Sequence, residues 1–448
     1  MTEAPENDER DGERPLTRQE RRLLTVLALP SFGLALTITA VSAYMPVLLH
    51  DFTKSRLVIG ALIGGEGVFA LIVPVLVGSW SDRLRTRVGG RIPFVIAGCA
   101  VAVAAVAVVP FAGSLALFGA LLAAFYAGYF VYFAPYAALF PDLVDEEAHG
   151  RSQSAQALGR EVGMGTALVG GGVLLSAWQP LPFLVAAGIL LAVTAVVVTR
   201  ILRRAGRLRS HGHEAPGESA RREVVRLLRD RADIRRVVIA NSLWEFALAA
   251  IKSFAVLYIV VGLHEPASAS SAAMAVVAVG VVAAAAVAGK LADRHGAARI
   301  MRIGAWVYAV GLIVPAVFTS TAVIVPVLPF AAFGAGVVMT LPYAALMRAM
   351  PEGAHGAVSG LWVLSRGVGL IFGPLLAGVA IDQLSPVLSS TQGYAALWIV
   401  ASAAIFASIP VISRQARRED RPADAAQEGS ASASSPASAA APTTSQAA

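Results

Sequence analysis

The run GSWSDRLRTRVGGR, Gly78 to Arg91, returns 211 positions later as GKLADRHG, Gly289 to Gly296, and each copy directly follows a long apolar stretch. Pro135-Tyr136-Ala137-Ala138-Leu139 likewise recurs as Pro342-Tyr343-Ala344-Ala345-Leu346. His149-Gly150 with His355-Gly356, Arg160 with Arg366 and Gly163 with Gly369 keep nearly the same register, an offset of 206. A chain that repeats both a loop and a helix-to-helix transition in step is a doubled module. Doubling inside a lipid-soluble composition points to a carrier rather than to an enzyme or a receptor.

The composition is lipid-soluble. Of 448 residues, 56% are hydrophobic and 15% charged, against about 25% charged in ordinary soluble domains. Apolar runs near the ~20 residues that cross a bilayer follow one another from residue 23 to residue 412. Their length and Ala/Val/Leu/Gly richness favour helices over barrel strands. The expected fold is an all-α polytopic membrane protein with twelve transmembrane helices in two pseudo-symmetric six-helix bundles. The expected organisation is an N-terminal tail at 1–22, a first bundle at 23–205, a basic linker at 206–231, a second bundle at 232–413 and a disordered tail at 414–448. An interfacial helix is expected near 220–230.

Charge sets the expected orientation. Counting the amino end as cytoplasmic puts 31 of the 36 Lys and Arg in cytoplasmic segments and leaves only Lys54 and Arg56 in outer loops. The positive-inside rule then places both termini in the cytoplasm of a multi-pass protein of the cell membrane. The net charge of +7 reads as an insertion and headgroup signal, not as a nucleic-acid surface. The acidic start of the chain lacks a cleavage pattern, so the first span is expected to be an uncleaved anchor. Cys99 is the single cysteine, which excludes an intrachain disulfide.

Gly78-x-x-Ser81-Asp82-Arg83, followed by Gly89-Gly90-Arg91-x-Pro93-Phe94, resembles the loop between helices 2 and 3 of the major facilitator superfamily. Its longer spacing and Arg-x-Pro-Phe ending are most similar to the sugar-cation symporters, the glycoside-pentoside-hexuronide and sucrose-transporter-like groups. Gly90 and Ile92 depart from that pattern, standing where those carriers often have further arginines. The second copy is the superfamily's general form. The resemblance implies the major facilitator fold and a cytoplasmic latch between the halves, built from Asp82, Arg83, Arg91, Asp293 and Arg294. An Asp just outside a helix caps a neighbouring helix start, and an Arg holds a carboxylate or phosphate. The repeat supplies partners, so Asp82 is expected to meet Arg366, and Asp293 to meet Arg160.

Other charges break the repeat. The counterpart of Glu66 is Val277 and that of Glu161 is Gly367, while Glu245 and Lys252 match no charge in the first helix. A charge deep in a membrane costs at least ~2.5–3.5 kcal/mol on insertion scales, so each needs a partner or a wet cavity. Asn241 shares a face with Glu245 one turn away, and Lys252 follows on nearly the same face about 10 Å along. One reading gives Glu66, Glu161 or Glu245 a proton to carry, tuned by Lys252 or Arg160. The other makes them internal salt bridges, such as Glu161 with Arg366. Tyr126, Tyr129, Phe133 and Tyr136 form one helical stripe. Tyr129, Tyr136 and Trp244 are candidates to hold a solute, with plain helix packing as the alternative.

The leading expectation is a secondary active transporter working by alternating access, taking up a sugar or similar small polar solute with a proton, or with sodium instead. The alternative is proton-driven efflux of a drug or hydrophobic metabolite. The fifth span lacks the Gly-Pro pair that resembles the drug-antiporter signature; Gly373-Pro374 lies in the eleventh. A transporter-shaped sensor would call for a foldable output domain, and neither tail reads as one. No metal-ligand cluster and no Walker-type loop occur, so no enzyme activity, metal, cofactor or nucleic acid is expected. The expected partners are the solute, the coupling ion and the bilayer, with the chain a monomer.

Overall fold

The computed structural model describes residues 17–83, 91–143, 149–202, 226, 228–348 and 355–419. Helices α1 (Arg18–Phe52), α2 (Arg56–Arg83), α3 (Ile92–Val108), α4 (Leu115–Leu143), α5 (His149–Ala177) and α6 (Leu181–Leu202) make the first half. Helices α7 (Ala232–Leu257), α8 (Ala267–His295), α9 (Ala297–Val317), α10 (Thr321–Arg348), α11 (His355–Leu384) and α12 (Ala396–Glu419) make the second. The described residues contain no strand. A backbone in hydrocarbon must satisfy its own polar groups, and the helix does so within one segment.

Eleven of these helices are long and apolar enough to cross a membrane. The one left out is α5, whose first half carries Arg151, Gln153, Gln156, Arg160 and Glu161. Helix α3 ends at Val108 and the chain tightens into a 3-10 turn over Val109–Phe111, where Pro110 has no amide to donate. Helix α7 begins at Ala232, where the second bundle was expected to start. Arg231, just ahead of it, reaches Asp233 Oδ2 at 2.7 Å. It ends in a π turn at Tyr258–Gly262. Of the expected helix near 220–230, residues 226 and 228–230 are described and helical, with Arg226 Nε 3.6 Å from Asp230 Oδ2 one turn on; the rest of it, most of the linker and the outer parts of both tails lie outside the described residues.

The doubling seen in the motifs is also a doubling of packing. Where α3 crosses α4, a Cβ on Gly98 would come within 2.5 Å of the Tyr132 amide nitrogen, and one on Gly128 within 2.7 Å of the Ala102 nitrogen. Where α9 crosses α10, a Cβ on Gly334 would lie 2.6 Å from the Gly304 carbonyl oxygen. Gly98 and Gly304 are 206 positions apart, as are Gly128 and Gly334. Small residues set the helix separation at the same place in each half.

Three helix pairs join the halves: α1 with α7, α2 with α11, and α5 with α8. We call the end where α1 begins and α12 finishes proximal, and the other end distal. From the distal end, α2 lies against α11 with Gly378 on the Arg56 carbonyl, Gly60 on that of Pro374 and Gly67 on that of Gly367. The same face continues to Val75, which is 65% exposed. Gly78 and Gly360 further on have open space where a Cβ would stand. On the other side, Gly172 packs on Ala267 and Ser270 near the distal end, where the Val173 amide donates to Ser271 Oγ at 3.0 Å. Proximally, Gly165 has open space and Val162 and Val282 are exposed. The halves are closed at the distal end and part toward the proximal one.

Candidate functional site

The polar residues of the helix interiors gather midway along this wedge. On α11, a Cβ on Gly369 would stand 2.6 Å from Glu245 Cβ, so α7 and α11 touch backbone to backbone there. That crossing brings Arg366, one turn before Gly369, onto Glu245. The Arg366 guanidinium donates from Nε to Glu245 Oε1 at 3.0 Å; the carboxylate side chain is 9% exposed and the arginine 46%. One turn before Glu245, Asn241 Nδ2 donates to Ser365 Oγ at 2.8 Å. Four members of the α7–α11 seam, Glu245, Arg366, Asn241 and Ser365, are thus polar and paired, as buried polar groups must be.

Glu66 projects from the middle of α2 toward α1 and is buried. Ser42 Oγ lies 2.8 Å from Glu66 Oε2 and also 2.8 Å from the Ile38 carbonyl oxygen. Among the described residues no cation stands within ion-pair distance of Glu66.

The aromatic candidates divide by what their polar atoms do. The Tyr136 hydroxyl sits 2.7 Å from Ser31 Oγ and donates to the Leu27 carbonyl. Trp244 Nε1 donates to Ser408 Oγ at 2.8 Å. Both rings are fully buried and their polar atoms tie helices together. Tyr126 does the same, from its hydroxyl to the Ile63 carbonyl at 3.3 Å. Tyr129 differs. Its ring stacks on Phe133 at 6.2 Å, while its hydroxyl makes no hydrogen bond among the described residues. That hydroxyl is not one of the sealed, unpartnered polar atoms, which are Arg56 Nε and Trp398 Nε1. The hydroxyl therefore keeps some accessible surface, although the residue as a whole is 7% exposed.

Arg160 and Glu161 on α5 pair with each other, Nε to Oε1 at 3.2 Å, with side chains 57% and 52% exposed. Lys252 is half-buried on α7 and has neither hydrogen bond nor ion pair among the described residues. Among the described residues no three His, Cys, Asp or Glu converge as metal ligands.

The expected latch residues lie at the proximal end. Asp82 and Arg83 close α2, with side chains outside the described residues. Arg91 is buried and donates to the Ala138 carbonyl near the end of α4, a contact within the first half. Asp293 and Arg294 are exposed on the last turn of α8. In this conformation Arg366 is held by Glu245 and Arg160 by Glu161, while Asp82, the expected partner of Arg366, has its side chain outside the described residues.

A latch does exist at the distal end, and the sequence reading missed it. Asp382, near the end of α11, accepts from the amides of Arg56 at 3.0 Å and Leu57 at 2.9 Å. These are the first residues of α2, so a carboxylate of one half caps a helix start of the other. Ser55 Oγ donates to the same carboxylate at 3.3 Å. The Arg56 guanidinium lies 3.7 Å from Asp382 Oδ1 and 5.2 Å from the centre of the Tyr394 ring. The Tyr394 hydroxyl in turn meets His50 Nδ1 at 3.3 Å.

A family model described as Major Facilitator Superfamily matches residues 27–266 and, again, residues 237–445. Among solved structures, a bacterial homologue of the human lysosomal transporter Spinster, inward-facing and unoccupied, superposes with a TM-score of 0.72 at 15% identity, covering 90% of this chain and 98% of its own. The nucleoside transporter NupG gives 0.66 at 13% identity, over 89% of this chain and 99% of its own. A bacterial homologue of the iron transporter ferroportin, inward-facing, gives 0.65 at 17% identity, over 90% and 100%. At such identities the likeness is one of fold. No curated protein sequence matches significantly.

Proposed function

Because the chain belongs to the major facilitator superfamily, a family of membrane transporters, we propose that it works by alternating access, taking up a sugar or similar small polar solute together with a proton. The observation that carries the proton is the double contact of Ser42. A serine hydroxyl has one hydrogen to donate, and the Ile38 carbonyl can only accept. With 2.8 Å to that carbonyl and 2.8 Å to Glu66 Oε2, the serine either shares its one hydrogen between two acceptors or receives a hydrogen from a Glu66 carboxyl that has taken up a proton, and in our reading it is placed to serve both forms. Glu245 differs in being held by the Arg366 guanidinium at 3.0 Å.

Supporting the sugar-cation assignment is the loop motif of residues 78–94; supporting cytoplasmic termini, in the cell membrane, is the proximal concentration of Lys and Arg. The wedge then opens to the cytoplasm. Purified protein in liposomes with an inward proton gradient tests the reading against a panel of labelled sugars. Glu66→Gln is expected to lose uphill accumulation while keeping exchange of solute down its gradient. Uphill accumulation by Glu66→Gln equal to the parent's would refute the role of Glu66. Accumulation that follows a sodium gradient alone would replace the coupling ion.

A further inference from the structure

The seam between α9 and α10 carries an apolar groove of about 410 Å³ on the outer face of the second half, between Trp306, Val310, Gly311 and Val314 of α9 and Val327 and Phe330 of α10. Its floor is a close approach at Gly311, where a Cβ would lie 2.6 Å from that of Ala331. Its walls are the two rings, Trp306 at 50% and Phe330 at 68% exposure. The Trp306 ring is braced from behind by Phe406 of α12, edge to face with centroids 5.4 Å apart. Trp306 stands nine residues into α9, about 13 Å from its start and so at hydrocarbon depth. Its indole N–H finds no acceptor among the described residues.

Two arginines continue this face toward the proximal end. Arg299, Ile303, Trp306, Val310 and Val314 follow one another at spacings of four, three, four and four, a single helical stripe. Arg302 flanks it one turn before Trp306. Neither arginine has a hydrogen bond or ion pair among the described residues. The adjoining last turns of α8 expose Lys290, Arg294 and His295 against Asp293, so the mouth of the groove is positive. From Arg299 to Val314 the helix rises about 22 Å. That span holds a headgroup and the ~15 Å that one leaflet contributes to the hydrocarbon core.

The groove breaks the repeat. At the offset of 206 shared by Gly98 with Gly304 and Gly128 with Gly334, Arg299 and Arg302 correspond to Pro93 and Ile96, and Trp306 and Phe330 to Ala100 and Ala124. The first half crosses its helices in the same way without these cations or ring walls, so the shared packing does not call for them. We propose that the groove seats one acyl chain of an anionic phospholipid from the proximal leaflet, its phosphate held by Arg299 and Arg302. Arginine forks match phosphate oxygens, and the chain lies between the rings. Helical side chains lean toward the helix start, which aims the Trp306 N–H at the ester carbonyl below the headgroup. Both walls belong to one half, so the lipid rides with that half and favours neither the open nor the closed carrier.

The test is lipid titration of the purified full chain followed by native mass spectrometry, with phosphatidylglycerol against phosphatidylethanolamine of the same acyl chains. The parent is expected to hold one phosphatidylglycerol more tightly than any phosphatidylethanolamine. Arg299→Gln with Arg302→Gln is expected to weaken that binding about thirtyfold, the effect of two cations at a headgroup. Arg21→Gln with Arg200→Gln removes the same charge from the same end of the molecule but off the stripe, and is expected to leave the binding nearly unchanged. Val310→Trp fills the groove while keeping both arginines, and is expected to weaken both lipids with Tm preserved. Equal affinity of the parent for the two lipids, equal losses in the two charge variants, or binding by Val310→Trp equal to the parent's overturns the proposal.

Discussion

Asp382→Ala should tip the protein toward its distally open state. The carboxylate caps α2 through the Arg56 and Leu57 amides at 3.0 and 2.9 Å, a contribution of about 1 kcal/mol. Its charge at the positive end of α2 adds roughly 0.5 kcal/mol. The Arg56 contact at 3.7 Å, with both side chains partly exposed, adds at most about another 0.5 kcal/mol. All three are lost when α2 and α11 separate at that end, so the closed state alone feels the deletion. A loss of about 2 kcal/mol is a shift of roughly thirtyfold in the ratio of open to closed protein. Asp382→Asn keeps an acceptor for the cap but loses the charge, and should shift the ratio about fivefold. The readout is the distance between spin labels on the exposed distal loops, at Gly113→Cys and Ser390→Cys in a Cys99→Ala background. A distribution unchanged in both variants, or one moved toward the closed state, refutes the latch.

Other perturbations probe the rest of the architecture. Arg366→Met leaves the nearly buried Glu245 carboxylate unpaired and should lower stability by about 1–2 kcal/mol; adding Glu245→Gln should recover most of it in thermal unfolding. Gly98→Leu and Gly304→Leu force side chains into backbone contacts and should cost about 2 kcal/mol or more, whereas Gly165→Ala, in open space, should leave Tm nearly unchanged. Paired cysteines at Gly78 and Gly360 in the Cys99→Ala background should form a disulfide only when the proximal ends close. Transport should stop on oxidation and return on reduction.

The twelve helices and their doubling were legible because lipid demands long apolar segments and because an in-register repeat survives in motif residues. Partner choice was not. Glu245 and Arg366 are 121 positions apart, and their meeting depends on the crossing at Gly369, which no spacing reveals. The stripe of Tyr126, Tyr129 and Tyr136 was visible as a period, but whether each hydroxyl was free depended on Ile63, Leu27 and Ser31, all on other helices. Asp382 had left a trace: Lys54 and Arg56 were the only cations assigned to outer loops, and an acid ending α11 was their natural counterpart.

Arg56 also carries a debit. Its Nε is sealed from solvent with no hydrogen-bond partner, and a buried donor left that way costs about 1–3 kcal/mol. Pulling α2 from α11 hydrates that nitrogen at the moment the Asp382 cap is lost, so the two effects oppose each other with comparable size. A fully satisfied Arg56 would make a tighter distal plug, so the unsatisfied nitrogen loosens the grip of α11 on the start of α2.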